Sequence, residues 1–314
     1  MLPSATEILF AIGAGDDVVG VTFECDYPPQ ARSRRNVSTS TLTEGLTPAQ
    51  IDAQVRARLA AGEDLYRLDE GALRDLDPEL IVTQDLCAVC AVDVGNVEAA
   101  LEHLGCDGRV LTLDPSTLEE VLLSIATVGA ATGHEQAAGR LTTALRSRLA
   151  RVAAAVSGRP RPGVAVLEWT DPPFTAGHWV PDMVTAAGAR PTLGRAGERS
   201  AQTTWAEIAS GDPDLVVIAP CGYGLADAVD LARTVAADAL LPANVPVWAV
   251  DADAAFVRPG PRLVDGVEAL AGICHADVMP ARPDLATLVR RGACTPTGAA
   301  VHKSAKTRPS RSRT

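Results

Sequence analysis

The sequence predicts an α/β protein with two Rossmann-like lobes, a long helical spine between them and a ligand cleft between the lobes. Short aliphatic runs alternate with helical segments in both halves of the chain. Residues 116–157 keep a helical period and contain no strand pattern. Residues 76–82 resemble residues 211–217, because each segment reads as a short helix, an Asp-Pro step and a buried strand. The two lobes therefore look like copies of one plan.

These patterns divide the chain into four parts. We expect an N-terminal α/β lobe over residues 1–115, the spine over 116–157 and a C-terminal α/β lobe over 158–278. Residues 279–314 are rich in Arg, Thr, Ser and Pro and show no hydrophobic period. Such a composition predicts a disordered basic tail.

In the first lobe, apolar residues at helical spacing predict a helix over residues 2–15. Ser4 and Glu7 have the spacing of a capping box, which would start this helix at Ser4. Residues 36–71 are polar and mixed, which predicts a loop with a short helix. The other predicted elements are strands at 18–22, 80–83 and 109–113 and helices at 72–76 and 97–104.

The spine and the second lobe follow the same rules. Gly133 is expected to break the spine into two helices. Beyond it, aliphatic runs and helical periods alternate again. The predicted elements are strands at 164–167, 215–219 and 245–250 and helices at 180–187, 205–209, 226–237 and 261–274.

Composition excludes several classes of protein. The 314 residues carry a formal charge of −11, and the basic residues beyond position 281 leave the body still more acidic, so nucleic acid is not an expected partner. No run is long and apolar enough for a membrane span. No secretory signal follows Met1, so the chain as written is expected in the cytoplasm, or outside it if the true start lies upstream. We expect a monomer.

Thiols, acids and aromatic residues follow the predicted strands of both lobes. Because ligands of open parallel sheets bind outside the carboxyl ends of the strands, these side chains are expected to face one crevice. They indicate a binding protein with a soft or metal-bearing ligand. The candidate ligand-binding residues are Cys25, Asp26, Tyr27, Asp85, Cys87, Cys90, Glu168, Trp169, Phe174, His178, Trp179, Cys221 and Tyr223.

The CxxC pair of Cys87 and Cys90 has three open interpretations. It fits a redox pair, half of a metal site or ordinary packing of small buried thiols. The second CxxC pair of a structural zinc site is missing, so no metal site is assigned. The sequence also lacks a phosphate-binding loop and a G-x-S-x-G elbow, and we name no catalytic residue.

Several motifs resemble the iron-siderophore/cobalamin (class III) substrate-binding proteins of ABC importers, nearest to the cobalamin-binding branch. The resemblance spans residues 2 to about 275, and the matching segments are 2–8, 20–22, 26–29, 76–81, 172–177 and 212–217. It implies two α/β lobes, a ligand between them, a first-lobe ligand loop at Asp26, Tyr27 and Pro28, and a second-lobe ligand loop at 172–177. It further implies that Glu70 and Glu207 dock to an ABC permease.

We therefore hypothesise a protein that binds cobalamin or a related corrinoid and is not an enzyme. Trp169 and Trp179 would form apolar walls, while Glu168 and Asp26 would bond the amides of the corrinoid. A thiol or an imidazole would approach the cobalt, the candidates being Cys87, Cys90, Cys221 and His178. Two alternatives remain open: a metal or iron-chelate receptor on the same fold, and a thiol redox enzyme that uses the CxxC pair.

Overall fold

Helices and strands alternate through both halves of the computed structural model, which describes residues 2–43, 45–84, 108–238 and 240–292. Two groups of α/β elements flank a long pair of helices. The predicted α/β class is therefore confirmed. Within the described residues, no helix is both long and apolar enough to cross a bilayer.

The first lobe, as far as it is described, is built from short strands that pair two by two. Strands β1 and β2 are parallel, as are β5 and β6, whereas β3 and β4 are antiparallel. In chain order the elements are α1 (Pro3–Ala11), β1 (Gly20–Val21), β2 (Arg35–Asn36), β3 (Ser38–Ser40), α2 (Pro48–Ala61), β4 (Tyr66–Leu68), α3 (Glu70–Leu76), β5 (Leu80–Thr83) and β6 (Arg109–Thr112).

Two local features of this lobe differ from the sequence predictions. Helix α1 starts with Pro3 at its first position, and Ser4 and Glu7 are both buried, so the capping box between them is wrong. Helix α2 is a full 14-residue helix, which Thr47 caps reciprocally with Gln50. It buries no residue completely, so its sequence carries no apolar stripe from which its length could be predicted.

The spine consists of two helices, α4 (Leu118–Ala131) and α5 (Glu135–Val156). Gly133 separates them with a φ of +71°, as predicted. On one face of α4, Leu122 and Ile125 pack in a core with Ile8 of the first lobe. On another face, Val121 belongs to the core of the second lobe. The spine therefore joins the lobes through packed side chains and not only through the chain.

The second lobe is a mixed sheet with parallel strands at its centre. The strand order is β10-β8-β7-β11-β12-β13, and β9 pairs with the first residues of β7. The elements in chain order are β7 (Gly163–Thr170), β8 (Pro173–Thr175), α6 (Val180–Ala186), β9 (Arg190–Pro191), β10 (Ala201–Gln202), α7 (Trp205–Ser210), β11 (Leu215–Ile218), α8 (Leu225–Ala237), β12 (Val247–Val250), α9 (Ala252–Ala255), α10 (Leu263–Cys274) and β13 (Ala286–Arg290).

The predicted disordered tail over 279–314 is wrong in its first part. Strand β13 pairs antiparallel with β12 and closes one edge of the sheet. Arg282 fastens the segment before it, because its guanidinium lies 3.3 Å from Asp265 and 3.5 Å from Glu268 on α10. The basic residues of this segment have the composition of a disordered tail, so the sequence does not predict the short strand. The remainder, 293–314, lies outside the described residues.

The internal repeat has a common backbone feature. Asp77 and Asp212 hold equivalent places in the two copies, and each takes a left-handed φ, +42° and +47° respectively. Asp is one of the residue types that enter this region most readily. Each turn is followed by a buried parallel strand, which is β5 in one lobe and β11 in the other.

The shared core of α4 gives a direct test of the spine. Ile125→Ala removes a fully buried side chain, and we expect it to lower the free energy of unfolding by about 2–5 kcal/mol. Leu123→Ala, two residues away on the same helix, is the control because Leu123 is 51% exposed. It should change stability by less than about 0.5 kcal/mol in urea unfolding. Equal losses in both variants would contradict this packing.

Candidate ligand-binding cleft

The two lobes meet at a buried ion pair. Glu7 of α1 accepts hydrogen bonds from Arg262 of the second lobe, 2.9 Å from Nε and 2.5 Å from Nη2. Arg258, in the same second-lobe loop, lies 3.7 Å from Glu7. The Glu7 side chain is only 2% exposed. A charge removed from water this completely needs such partners, so this joint fixes where the second-lobe loop sits against α1.

Arg258 gathers carboxylates from both lobes. Besides its contact with Glu7, it donates to Asp26, which follows β1 in the first lobe. Its other terminal nitrogen lies 3.6 Å from Asp253 on α9. The single guanidinium is therefore already matched by acids before any ligand arrives.

Tyr27 covers the neighbouring arginine. Its ring lies 4.0 Å from the Arg262 guanidinium carbon, which is cation–π distance. The tyrosine is also 44% exposed, so its other edge is open to solvent. Asp26 and Tyr27, predicted from the resemblance as the first-lobe ligand loop, thus lie at the boundary between the lobes. Their contact with a ligand stays a prediction.

Glu24 is a half-buried acid beside this cluster. The Tyr66 hydroxyl donates weakly to it, 3.4 Å from Oε1 and 3.5 Å from Oε2. The Phe23 ring lies 6.0 Å from the Tyr66 ring. Burial raises the pKa of Glu24 to about 7; Arg258 opposes the rise and Asp253 adds to it. Near neutral pH this carboxyl can therefore act as either a hydrogen-bond donor or an acceptor.

Asp253 has a similar environment on the other lobe. Burial raises the pKa of Asp253, Arg258 lowers it, and Asp26 raises it further. Asp253 of the second lobe thus helps to raise the pKa of Glu24 in the first lobe, and Arg258 lowers the pKa of both acids.

Two aromatic residues lie on the second-lobe side of the boundary between the lobes. Trp169 and Tyr223 pack edge to face with ring centroids 5.7 Å apart. The Trp169 indole N–H is shared between the Asp171 carbonyl at 3.1 Å and the Pro48 carbonyl at 3.3 Å. Because Pro48 begins helix α2, this bond joins the lobes at a second place. Arg56 of the same helix donates to Gln202 across the boundary at 2.8 Å.

All three tyrosines of an aromatic-poor chain lie at this boundary. Flat rings therefore come from both lobes, and the two first-lobe rings each contact a member of the charged cluster, Tyr27 at Arg262 and Tyr66 at Glu24. Such a crevice suits a large planar ligand with polar groups at its edge.

Two predicted site residues lie elsewhere. Trp179 is 6% exposed, belongs to the second-lobe core and donates its indole N–H to the Phe256 carbonyl at 2.7 Å, so the predicted wall at Trp179 is not found. Cys25 is 4% exposed, and its sulfur lies 3.2 Å from the hydroxyl oxygens of Thr6 and Thr22. Both residues follow predicted strands in the sequence. At the end of a strand, however, successive side chains alternate between facing the loops and facing the core.

Glu168 and His178 belong to the loops that support the second-lobe side. Glu168 accepts from the Gly177 backbone N–H at 3.4 Å and from the Ser200 hydroxyl, so its carboxylate holds two loops together. His178 is half-buried with a φ of +49°, and its ring lies 5.6 Å from that of Trp179. Burial, aided by Arg199, lowers the pKa of His178, which favours the neutral imidazole. Phe174 lies on β8, paired with Gln202.

The predicted thiol cluster is only partly described. Cys221 is half-buried and lies three residues after the end of β11, where its backbone N–H donates to the Glu168 carbonyl at 3.2 Å. Asp85, Cys87 and Cys90 lie outside the described residues. The convergence of sulfur groups on a ligand therefore stays a prediction.

The two predicted docking acids begin short helices. Glu207 is exposed on α7 and completes a capping box with Thr204. Hydrogen bonds from Thr203 and Thr204 lower the pKa of Glu207. Glu70 is the first residue of α3, and its side chain lies outside what the structure describes.

Sequence reasoning missed much of the charged centre. The two arginines bracket a Pro-Gly-Pro turn, and this isolated basic pair in an acidic body was the available signal. The spacing of Glu7 from Ser4 predicts a local cap, and nothing in it indicates a partner 255 residues away. The residues absent from the predicted site are Glu7, Phe23, Glu24, Tyr66, Asp253, Arg258 and Arg262.

The buried joint yields a stability prediction. Glu7→Gln leaves two arginines facing a neutral amide, and we expect it to lower the free energy of unfolding by about 3 kcal/mol. Asp16→Asn is the matched control, because it breaks an exposed ion pair with Arg34 at 3.4 Å in the same lobe. That change should cost less than about 1 kcal/mol in denaturant unfolding. An equally small loss in the free energy of unfolding of both variants would show that the Glu7 joint does not stabilise the fold.

The pH dependence of stability tests the environment of Glu24. Its folded pKa of about 7 lies above the ordinary 4.5, so the folded state binds the proton more tightly. The stability that this carboxyl contributes is therefore fully present below pH 4.5, falls as pH rises to about 7 and is constant above that. Glu24→Gln should flatten the stability profile between pH 4.5 and 7, leaving the parts due to Glu7 and Asp253, whose pKa values burial also raises.

A control variant isolates this effect. Glu135→Gln changes an exposed acid at the start of α5 and should leave the profile unchanged in urea unfolding at several pH values. A Glu24→Gln profile that is parallel to the wild-type profile throughout this range would contradict the buried environment of Glu24.

Comparison with known proteins agrees with this architecture. Residues 2–243 match the family model described as "Periplasmic binding protein". Over 289 residues the chain is 26% identical to an uncharacterised ABC transporter substrate-binding lipoprotein of Bacillus subtilis, covering 88% of this chain and 79% of that protein. It is 27% identical to a vitamin B12-binding protein of Photorhabdus laumondii over 151 residues, 48% of this chain and 43% of that protein.

A solved structure shows the same fold. The crystal structure of a periplasmic heme-binding protein from Pseudomonas aeruginosa superposes with a TM-score of 0.65 at 22% identity, covering 92% of this chain and 97% of that one. Because the family model spans most of the chain, the family follows directly. The chain is a member of the periplasmic binding protein family.

Proposed function

We propose that the chain is the substrate-binding component of an ABC importer and that it carries cobalamin or a related corrinoid between its lobes. The observation that carries the proposal is the boundary itself, where Tyr27 of the first lobe lies over Arg262 of the second, Tyr66 bonds the half-buried Glu24, and Trp169 of the second lobe packs against Tyr223 and bonds the first helix-α2 residue, Pro48. The sequence similarity to a vitamin B12-binding protein supports the choice of ligand. We expect the role to be binding and release, without catalysis.

The chemistry of a corrinoid suits these side chains. A corrin is broad and flat, so aromatic rings from both lobes can cover its faces. Its periphery carries neutral amides, which both donate and accept hydrogen bonds. The Glu24 carboxyl, whose pKa burial raises to about 7, can both donate to and accept from such amides near neutral pH.

The relatives also support a place and a partner. The Bacillus subtilis relative is named a lipoprotein of an ABC transporter, which favours the extracytoplasmic placement over the cytoplasmic one. The partner would then be an ABC permease, and Glu70 and Glu207 remain the proposed docking acids. An approach of Cys87, Cys90, Cys221 or His178 to the cobalt remains part of the proposal.

A second candidate is a ferric chelate such as heme. Its specific support is the Tyr66 phenol, since phenolate oxygen is a protein ligand of ferric heme iron. A heme-binding protein also shares the fold. The redox-enzyme alternative rests on Cys87 and Cys90, outside the described residues.

Visible-absorbance titration distinguishes these ligands. Purified protein is titrated with cyanocobalamin and, in parallel, with hemin, and co-elution by gel filtration confirms each complex. We expect cyanocobalamin to change the spectrum saturably and to co-elute. Failure of cyanocobalamin to bind would remove the corrinoid proposal, and saturable binding of hemin alone would favour the second candidate.

Removing one aromatic wall should weaken the complex. Trp169→Ala deletes a half-buried indole at the boundary, and we expect at least about a tenfold loss of affinity for cyanocobalamin. Trp205→Ala is the matched control, because this indole packs against the second-lobe core on α7. It should lower stability and leave affinity unchanged. Equal affinities in the two variants would contradict a ligand beside Trp169.

A further inference from the structure

The charge balance at the boundary between the lobes is acidic. Three guanidinium groups, Arg32, Arg258 and Arg262, lie among four carboxyls, which are Glu7, Glu24, Asp26 and Asp253. All three arginines already have acid partners within 4 Å. In the described part of the chain, this cluster therefore presents more acidic than basic side chains to a ligand.

Glu24 differs from the other three acids of this cluster. Glu7, Asp26 and Asp253 each lie within 4 Å of an arginine nitrogen. In the described part of the chain, the close partner of Glu24 is the Tyr66 hydroxyl, at a long 3.4 Å. A group that approaches Glu24 therefore meets a carboxyl whose hydrogen-bonding capacity is still largely available.

We propose that Glu24 is a specificity-determining residue, which makes the cleft select tetrapyrroles with neutral amide edges over those with carboxylate edges. This inference deepens the proposed function and rests on it. An amide can accept from a protonated Glu24 and donate to an ionised one. A ligand carboxylate can bond only to the protonated form and is repelled by the ionised form.

The surroundings of Glu24 set how this selection varies with pH. The charged and titratable groups that act on it are Arg258, Asp253, Asp26 and Tyr66. Arg258 favours ionisation, whereas the two aspartates and burial oppose it. Selection against carboxylates should therefore be weak at pH 5.5 and strong at pH 8, as Glu24 ionises between them.

The test uses ligands that differ in one group. Cyanocobalamin is compared with its monocarboxylic acids, in which one peripheral amide is hydrolysed to a carboxylate. We expect the wild-type protein to bind the amide form about tenfold more tightly than at least one monoacid at pH 8, and about twofold more tightly at pH 5.5. In Glu24→Gln this ratio should be about twofold at both pH values. Glu135→Gln, an exposed acid on α5, should keep the wild-type ratios.

Each outcome decides the matter. If cyanocobalamin binds and the wild-type and Glu24→Gln ratios agree, the selectivity role is wrong while the proposed function stands. If cyanocobalamin does not bind, the corrinoid function fails, and hemin is compared with its neutral dimethyl ester. A wild-type preference for the dimethyl ester that Glu24→Gln abolishes would retain the charge selection for porphyrins, and a preference for hemin would overturn it.

Discussion

The buried pairing of Glu7 with Arg262 is the constraint on which the rest of the cleft depends. It joins the first helix of one lobe to the loop before α10 of the other, at a site almost closed to water. Removing Glu7 would leave Arg262 without its acid partner, and removing Arg262 would leave the buried Glu7 with only Arg258 at 3.7 Å, so the lobes are held where both charges are satisfied. Around this joint, Arg258 draws in Asp26 and Asp253. The positions of Asp26 and Asp253 follow from that geometry.

Packing of the spine works with the ion pair. Helix α4 contributes Leu122 and Ile125 to one core and Val121 to the other, so the lobes cannot rotate freely about a linker. The bonds from Trp169 to Pro48 and from Arg56 to Gln202 are exposed or half-buried by comparison. Helix α2 buries no residue, so its contacts hold the lobes together less firmly than the buried Glu7 joint does.

The fold could be predicted from the sequence because its signals are local. Aliphatic runs marked β5, β7 and β11, and Gly133 marked the break in the spine. The site was harder, because contacts such as Glu7 with Arg262 join residues with no spacing relationship. Residues next to strand ends were over-assigned to the ligand. Trp179 and Cys25 turned into the cores, since strand-end position does not decide which way a side chain points.

A crystal structure of the protein with cyanocobalamin would test the central claim most directly. We expect a corrin ring between Tyr66 and Trp169, a peripheral amide within about 3.2 Å of Glu24 or Asp253 (hydrogen-bond distance), and an intact Glu7–Arg262 pair. A ligand bound on another surface, or one that enters only after the Glu7–Arg262 pair has separated, would contradict it.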